Sequence, residues 1–266
     1  MLCLEDPGLP AFATHNLDKY QTEIDDAGDY ATRVAEGKRL FDSRNRTSNA
    51  TFRAVRERLS QMCTGIRRCV YCEDSVADEV EHMKPKDLYP GDVFRWPNYV
   101  YACGPCNRRK NSNFAIIAEG TVEDVTRARG APITPPTLGE LAFINPRSED
   151  PLDLMTMDLL GTFFILPREG LDTIQADRAD YTIKILGLNR DLLLSARKNA
   201  FGGYRARLLE YRDKKNAGAT AVELGRLRND LLATPHPSVW EEMKRQARDI
   251  PVIGTIFDAV PEAWTW

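Results

Sequence analysis

No stretch of the 266 residues approaches the ~18 uninterrupted apolar residues that a membrane-spanning helix requires. The opening residues, Met1-Leu2-Cys3-Leu4-Glu5-Asp6, lack the basic region of a secretory signal and soon turn acidic, which predicts a cytoplasmic chain. No internal repeat and no low-complexity tract is present, so solenoid and tail-like readings fall away. Excess positive charge is missing too. A formal net charge of −3 excludes a histone-like coat of nucleic acid, although phosphate binding needs only a local basic face. What remains is a soluble globular composition, with 28% charged and 42% hydrophobic residues, enough for one large domain or two modest ones.

Four of the six cysteines sit in two tight pairs, Cys69-Val70-Tyr71-Cys72 and Cys103-Gly104-Pro105-Cys106. In a chain without an export signal that arrangement favours metal over disulfides. A two-residue spacer lets both sulfurs of a pair reach one ion, and four thiolates complete a tetrahedral zinc sphere. Such an ion holds structure and activates no water. Cys3 and Cys63 are left as free thiols.

The thirty residues between the pairs hold Glu81-His82 and Asn98; Asn107 follows at once, then Arg108-Arg109-Lys110. A carboxylate beside an imidazole, two carboxamides and a basic cluster suit hydrolysis of phosphodiesters. Between Arg67 and Lys110 eight basic side chains meet seven acidic ones, which allows a modest basic patch but not tight unaided binding.

Chain periodicity places these residues. An irregular arm with one short helix is expected over residues 1 to about 30. Helix follows from Tyr30, then a turn over Arg44–Asn49, then a helix capped by Ser48 or Asn49 and ended by Gly65. Asp78–Met83 reads as a short strand with Glu81 and His82 on opposite faces. Helix is expected from Cys106 to about Phe114, a linker or hairpin over 119–136, and short strands at Leu141–Pro146 and Thr162–Gly170. The remainder reads as helix: Ala176–Leu186 stopped at Gly187, a long helix capped by Asn189, and two more announced by Thr220-x-x-Glu223 and Ser238-x-x-Glu241. Trp96, Tyr99 and Tyr101 are expected to pack the small zinc core, and His15 and His236 to be structural or surface residues.

From about Arg67 to Asn113 the chain resembles an HNH endonuclease of the ββα-metal type with a four-cysteine zinc clamp. The acidic-His pair is Glu81-His82, the central residue is Asn98 in Trp96-Pro97-Asn98-Tyr99, and the helix opens with Asn107 in Cys106-Asn107-Arg108-Arg109-Lys110. Glu stands where Asp is more usual, and Asn107 where His is common, which favours a hard ion such as Mg²⁺ or Mn²⁺. The resemblance implies that Glu81 and Asn107, with Asn111 one turn later, hold a catalytic divalent ion and that His82 is the general base. Asn98 would tether the loop, and Arg108, Arg109 and Lys110 would contact phosphate.

Farther on, Asn145-Pro146-Arg147, Phe164-x-x-Pro167-x-x-Gly170 and Thr182-Ile183-x-x-Leu186-Gly187-Leu188-Asn189-Arg190 resemble the region after the nuclease core in bacterial anti-phage HNH effectors, the Septu- and retron-associated type, some of which act with an ATPase partner. The expectation is therefore an α+β, mostly helical protein. It has an N-terminal arm and helices (1–64), a zinc-clamped ββα-metal core (65–118) and a mainly helical C-terminal region with short strands (119–266). It would cut nucleic acid, double-stranded DNA rather than RNA. A zinc-containing binding module with structural histidine and asparagines is the rival.

Overall fold

The computed structural model describes residues 1–266, and about half of them are helical. Where the sequence predicts an irregular arm with one short helix, Pro10 caps a fifteen-residue helix, α1 (Ala11–Asp25). Ala13, Leu17, Gln21 and Ile24 recur along one side of it, and burial of that stripe stabilises the helix despite its polar composition. Asp29 caps α2 (Tyr30–Arg44) and Asn49 caps α3 (Ala50–Gln61), each through a side-chain oxygen that accepts backbone amides. Helix α3 stops at Gln61, so Gly65 does not end it. Gly65 lies at φ +53° in the turn before the first cysteine pair.

Strands β1 (Glu79–His82) and β2 (Tyr99–Ala102) pair antiparallel, Glu79 opposite Ala102 and His82 opposite Tyr99. Strand side chains alternate, and this hairpin uses both faces. Val80, Tyr99 and Tyr101 enter an apolar core with Leu17, Phe41 and Phe52 of α1–α3, while Val100 and Ala102 face a larger core that contains the four cysteines. Tyr99 and Tyr101 therefore pack the N-terminal helices rather than the cysteine quartet. Trp96 stays at the rim, with the Arg147 guanidinium 4.4 Å from its ring.

Helix α4 (Gly104–Lys110) carries Pro105 in its first turn, where the fixed φ of proline fits. It is shorter than the sequence predicts. Asn111 adopts φ +43°, a conformation no helix continues, so it is not a further turn of the same face. Strands β3 (Ala115–Ala118) and β4 (Thr121–Asp124) form a hairpin whose turn residues Glu119 and Gly120 both have positive φ. The remainder of 119–136 is without regular structure. β5 (Glu140–Leu141) joins the other edge of β3, at the start of the segment expected as a short strand.

A four-residue helix, α5 (Pro151–Leu154), leads into the hairpin β6 (Met155–Met157) and β7 (Ile165–Pro167). Helix α6 (Thr173–Leu186) starts three residues earlier than its apolar pattern indicates, because Asp172 and Gln175 form a capping box. Gly187 ends it at φ +59°, where the Arg109 guanidinium would lie 3.1 Å from any Cβ. The long helix α7 (Asp191–Asn216) is not capped by Asn189: that side chain accepts from Ile165 N at 2.8 Å and donates to Ile165 O at 2.7 Å, pinning β7. Thr220 caps α8 (Ala221–Leu232) as expected.

Helix α9 (Pro237–Gln246) starts one residue before Ser238, so Ser238 is not its cap. Its hydroxyl donates to Glu73 Oε2 at 2.6 Å instead, and buried His236 takes the cap position at φ +59°. α10 (Pro251–Ala259) closes the C-terminal core. No helix is long and apolar enough to cross a membrane.

Candidate functional site

Two sites flank the β1–β2 hairpin and α4. The first is the cysteine quartet. Each Cys-x-x-Cys closes a local turn: Glu73 N donates to Cys69 O at 2.8 Å, and Asn107 N donates to Cys103 O at 2.9 Å. All four cysteines are buried, and their sulfurs lie within 4.8 Å of one another. Cys72 and Cys103 sulfurs are 3.8 Å apart, far beyond a disulfide. A tetrahedral ion with ~2.3 Å bonds to sulfur needs sulfurs about 3.8 Å apart, so the quartet fits a metal such as zinc. Arg190 Nη2 lies 3.9 Å from Cys106 Sγ, a donor placed to stabilise thiolate charge.

The second is a polar cleft of about 330 Å³ on the α2 side of the same unit. Glu81, His82, Asn107 and Asn111 line it together, joined by Ser112, Lys38 and Asp42 from α2, and Pro85, Lys86 and Asp87 from the loop after β1. Thus four of the residues singled out from sequence converge on one cavity, across a hairpin, a helix end and a loop.

His82 is held from several sides. Its Nε2 is 2.9 Å from the Val93 carbonyl, and a carbonyl only accepts, so the proton is on Nε2 and the lone pair is on Nδ1. Nδ1 has no protein hydrogen-bond partner and is not sealed from solvent. The ring packs edge-on to Phe41 at 4.5 Å and Tyr99 at 5.1 Å. Burial, reinforced by the charge of Lys86, holds the imidazole well below its ordinary pKa, so it is neutral at physiological pH.

Val93 is positioned by residues that sequence reasoning passes over. Gln21 of α1, fully buried, donates to Pro90 O at 3.0 Å and accepts from Phe94 N at 2.9 Å, bracketing Val93. Tyr99 Oη donates to the Val93 carbonyl at 2.7 Å. Asn98 accepts from Lys84 N at 2.7 Å and donates to Lys84 O and Asp92 O at 3.0 and 2.9 Å. It points away from the cleft and ties both ends of the loop that carries Val93.

Glu81 is 5% exposed, and Lys110 Nζ lies 2.7 Å from its Oε1. The same ammonium donates to the His82 carbonyl at 2.6 Å. Burial raises the Glu81 carboxyl above its usual range, with Lys110 working the other way. Lys110 is 1% exposed, which removes it from the surface and corrects its assignment as a phosphate contact. Its position four residues after buried Cys106 puts both on one helix face, the signal that could have revealed this. Arg108 and Arg109 are exposed but do not line the cleft; Arg109 lies along Gly187.

Asn107 Nδ2 donates to Glu79, which turns its carbonyl oxygen away from that partner. Glu81 Oε2, Asn107 Oδ1 and the exposed Asn111 side chain are hard oxygen donors around one cleft, a donor set suited to Mg²⁺ or Mn²⁺. Lys38 and Asp42 of α2, which line the cleft, and Phe41, which packs against His82, carry no motif; only their spacing on an amphipathic helix hints at a shared face.

No model of a known protein family matches the chain. A stretch of 51 residues is 43% identical to the Septu protein PtuB of Bacillus thuringiensis. The match covers 17% of this chain and spans one fifth (20%) of that relative's length.

Proposed function

We propose that this chain is a metal-dependent endonuclease of the HNH type that hydrolyses phosphodiester bonds of nucleic acid, double-stranded DNA in particular, inside the bacterial cytoplasm. The observation that carries the reading is the fixed tautomer of His82, whose unprotonated Nδ1 faces a cleft shared with Glu81, Asn107 and Asn111. A neutral, oriented imidazole is a competent general base. His82 Nδ1 takes a proton from a water molecule. The water oxygen bonds to phosphorus as the opposite P–O ester bond breaks, and the departing oxygen takes its proton from solvent. Glu81, Asn107 and Asn111 would hold a divalent ion, Mg²⁺ or Mn²⁺, which supplies charge neutralisation at the phosphate and the leaving oxygen.

Asn98 acts through the loop backbone, keeping the Val93 carbonyl where His82 needs it. The cysteines would hold zinc and keep the hairpin and α4 at fixed separation. On this reading residues 65–118 form the nuclease core between an N-terminal helical segment and a C-terminal helical region. The likeness to a Septu protein supports a role in anti-phage defence. The resemblance of the region after the core to anti-phage HNH effectors makes an ATPase the kind of partner that would gate it.

The test is cleavage of plasmid DNA and of structured RNA by the wild type and His82→Ala, with Mg²⁺, Mn²⁺ or EDTA. Metal-dependent cutting that disappears in the variant is the expected result, and the susceptible polymer names the substrate. DNA binding without cutting, with every metal and with an added ATPase, would sink the nuclease reading in favour of a zinc-containing binding module.

A further inference from the structure

Two lysines line the cleft, and only one has a partner. Lys38 of α2 is ion-paired with Asp87. Lys110 stands behind the wall, committed to Glu81 and the His82 carbonyl. Lys86 makes no hydrogen bond and no ion pair. Its Nζ lies 4.4 Å from the centroid of Phe41, the same ring that packs at 4.5 Å against His82. One α2 aromatic therefore positions both an imidazole and a free ammonium on the same side of the cavity.

A half-buried ammonium with no acceptor in hydrogen-bonding reach is an uncommon arrangement, because water lost from the charge is not replaced; the Glu81, Asp42 and Asp87 carboxylates act on it only from beyond ion-pair distance. The aromatic face offsets part of that cost and leaves the remaining N–H groups free for an incoming anion. Charge in the cleft gives the same direction. Lys38 and Lys86 face Asp42, Glu81 and Asp87, an excess of one negative charge on the lining. A polyanion enters such a cleft only if cationic groups are aimed at it, and Lys86 is the lysine of the lining that no ion pair holds.

We propose that Lys86 is a catalytic residue that binds a non-bridging oxygen of the scissile phosphodiester. This inference rests on the nuclease reading of the cleft. It moves phosphate recognition from the helix cluster Arg108-Arg109-Lys110 to a lysine four residues after His82. Lys86 moves no proton and breaks no bond; its charge offsets that which accumulates on the phosphoryl oxygens as the transition state forms.

The experiment compares wild type, Lys86→Met and Lys86→Arg as full-length protein of verified zinc content. Duplex cleavage is followed across an Mn²⁺ titration, and binding of a fluorescent duplex is measured by anisotropy with Ca²⁺ in place of Mn²⁺. Lys86→Met is expected to cut on the order of 10²-fold more slowly, with half-saturating Mn²⁺ equal to or lower than in wild type, since a positive charge beside the ion has gone. Lys86→Arg should recover most of that loss.

Wild-type cutting by Lys86→Met overturns the proposal. So does a variant whose Mn²⁺ requirement rises along with its loss of rate, for that marks general damage to the cleft. If the wild type cuts nothing, the nuclease reading fails separately and anisotropy decides. Loss of duplex binding in Lys86→Met alone keeps Lys86 as a phosphate ligand, whereas unchanged binding, or a wild type that does not bind, removes it.

Discussion

The cysteine quartet and the polar cleft share one hairpin and one helix, yet they are built by different means. The quartet is local. Two tight turns, 31 residues apart at their nearest sulfurs, bring four soft donors together, and little beyond the turns is needed to aim them. The cleft is assembled at a distance. His82 depends on Val93 for its tautomer, Val93 depends on Gln21 and Asn98 for its place, and the walls come from α2. A site closed by covalent spacing is robust to the rest of the fold; one closed by a relay of hydrogen bonds is as stable as its weakest buried partner.

The largest effect should come from breaking the local site. Cys72→Ala, or a strong chelator, removes a ligand from an ion whose binding is worth on the order of 10 kcal/mol in structural zinc sites, and that free energy is folding free energy. Loss of stoichiometric zinc by atomic absorption and a collapsed melting transition are expected. A variant with an unchanged melting temperature would remove the metal from the account of this fold. The cleft should go with it, because Cys106 of the quartet and Asn107 of the cleft are neighbours on α4.

His82→Ala should separate the two regions. Activity is expected to fall by roughly 10²–10⁴-fold, the usual contribution of a general base. Zinc should remain bound. Truncating a ring packed against Phe41 and Tyr99 costs stability as well, about 2–4 kcal/mol by analogy with other large-to-small core changes, read as a lower urea midpoint. Full zinc occupancy together with lost cleavage is the outcome that keeps the comparison intact.

The same contrast explains what can be read from the sequence. Cys69, Cys72, Cys103 and Cys106 are legible because their chemistry is written in spacing alone, and Glu81-His82 and Asn107 because they sit beside those landmarks. Lys110 is not, since a run of three basic residues looks solvated until the helix register set by Cys106 turns one of them inward. Helical spacing from Asn107 puts Asn111 on the same face, but its positive φ ends the helix and it reaches the cleft from the turn. Gln21, Phe41 and Lys86 have no motif at all; long-range packing gives them their roles. Ser238 heads an apparent capping box, yet Pro237 sets the start of α9 one residue earlier and leaves the cap position to His236.

Gln21→Ala sharpens the comparison at smaller scale. It orphans the Pro90 carbonyl and the Phe94 amide, each of which loses a buried partner, at about 1–3 kcal/mol apiece. Its mark should fall on the cleft: a lower rate with zinc content unchanged, since nothing in the relay touches the quartet. If zinc and activity were lost in step, the two regions would be one cooperative unit and the distinction drawn above would fail.

The smallest effect is in pH. Burial depresses both His82 and His236, so each is neutral in the folded protein at pH values where the unfolded chain, with a histidine pKa near ~6.5, already binds a proton. Below that pH the unfolded state therefore holds more protons than the folded one, and stability must fall as pH drops. Above about pH 7 neither state is protonated at these sites, and the histidine contribution is flat. Melting temperature followed from about pH 8 to about pH 5 should be level at first and then decline. His82→Phe and His236→Phe each remove one of the two contributions, so the acid slope of each variant apportions it between the cleft and the cap of α9. A slope that survives intact in His82→Phe would mean that the imidazole of the cleft is not held neutral, and the base assigned to it would lose its lone pair below about pH 6.5.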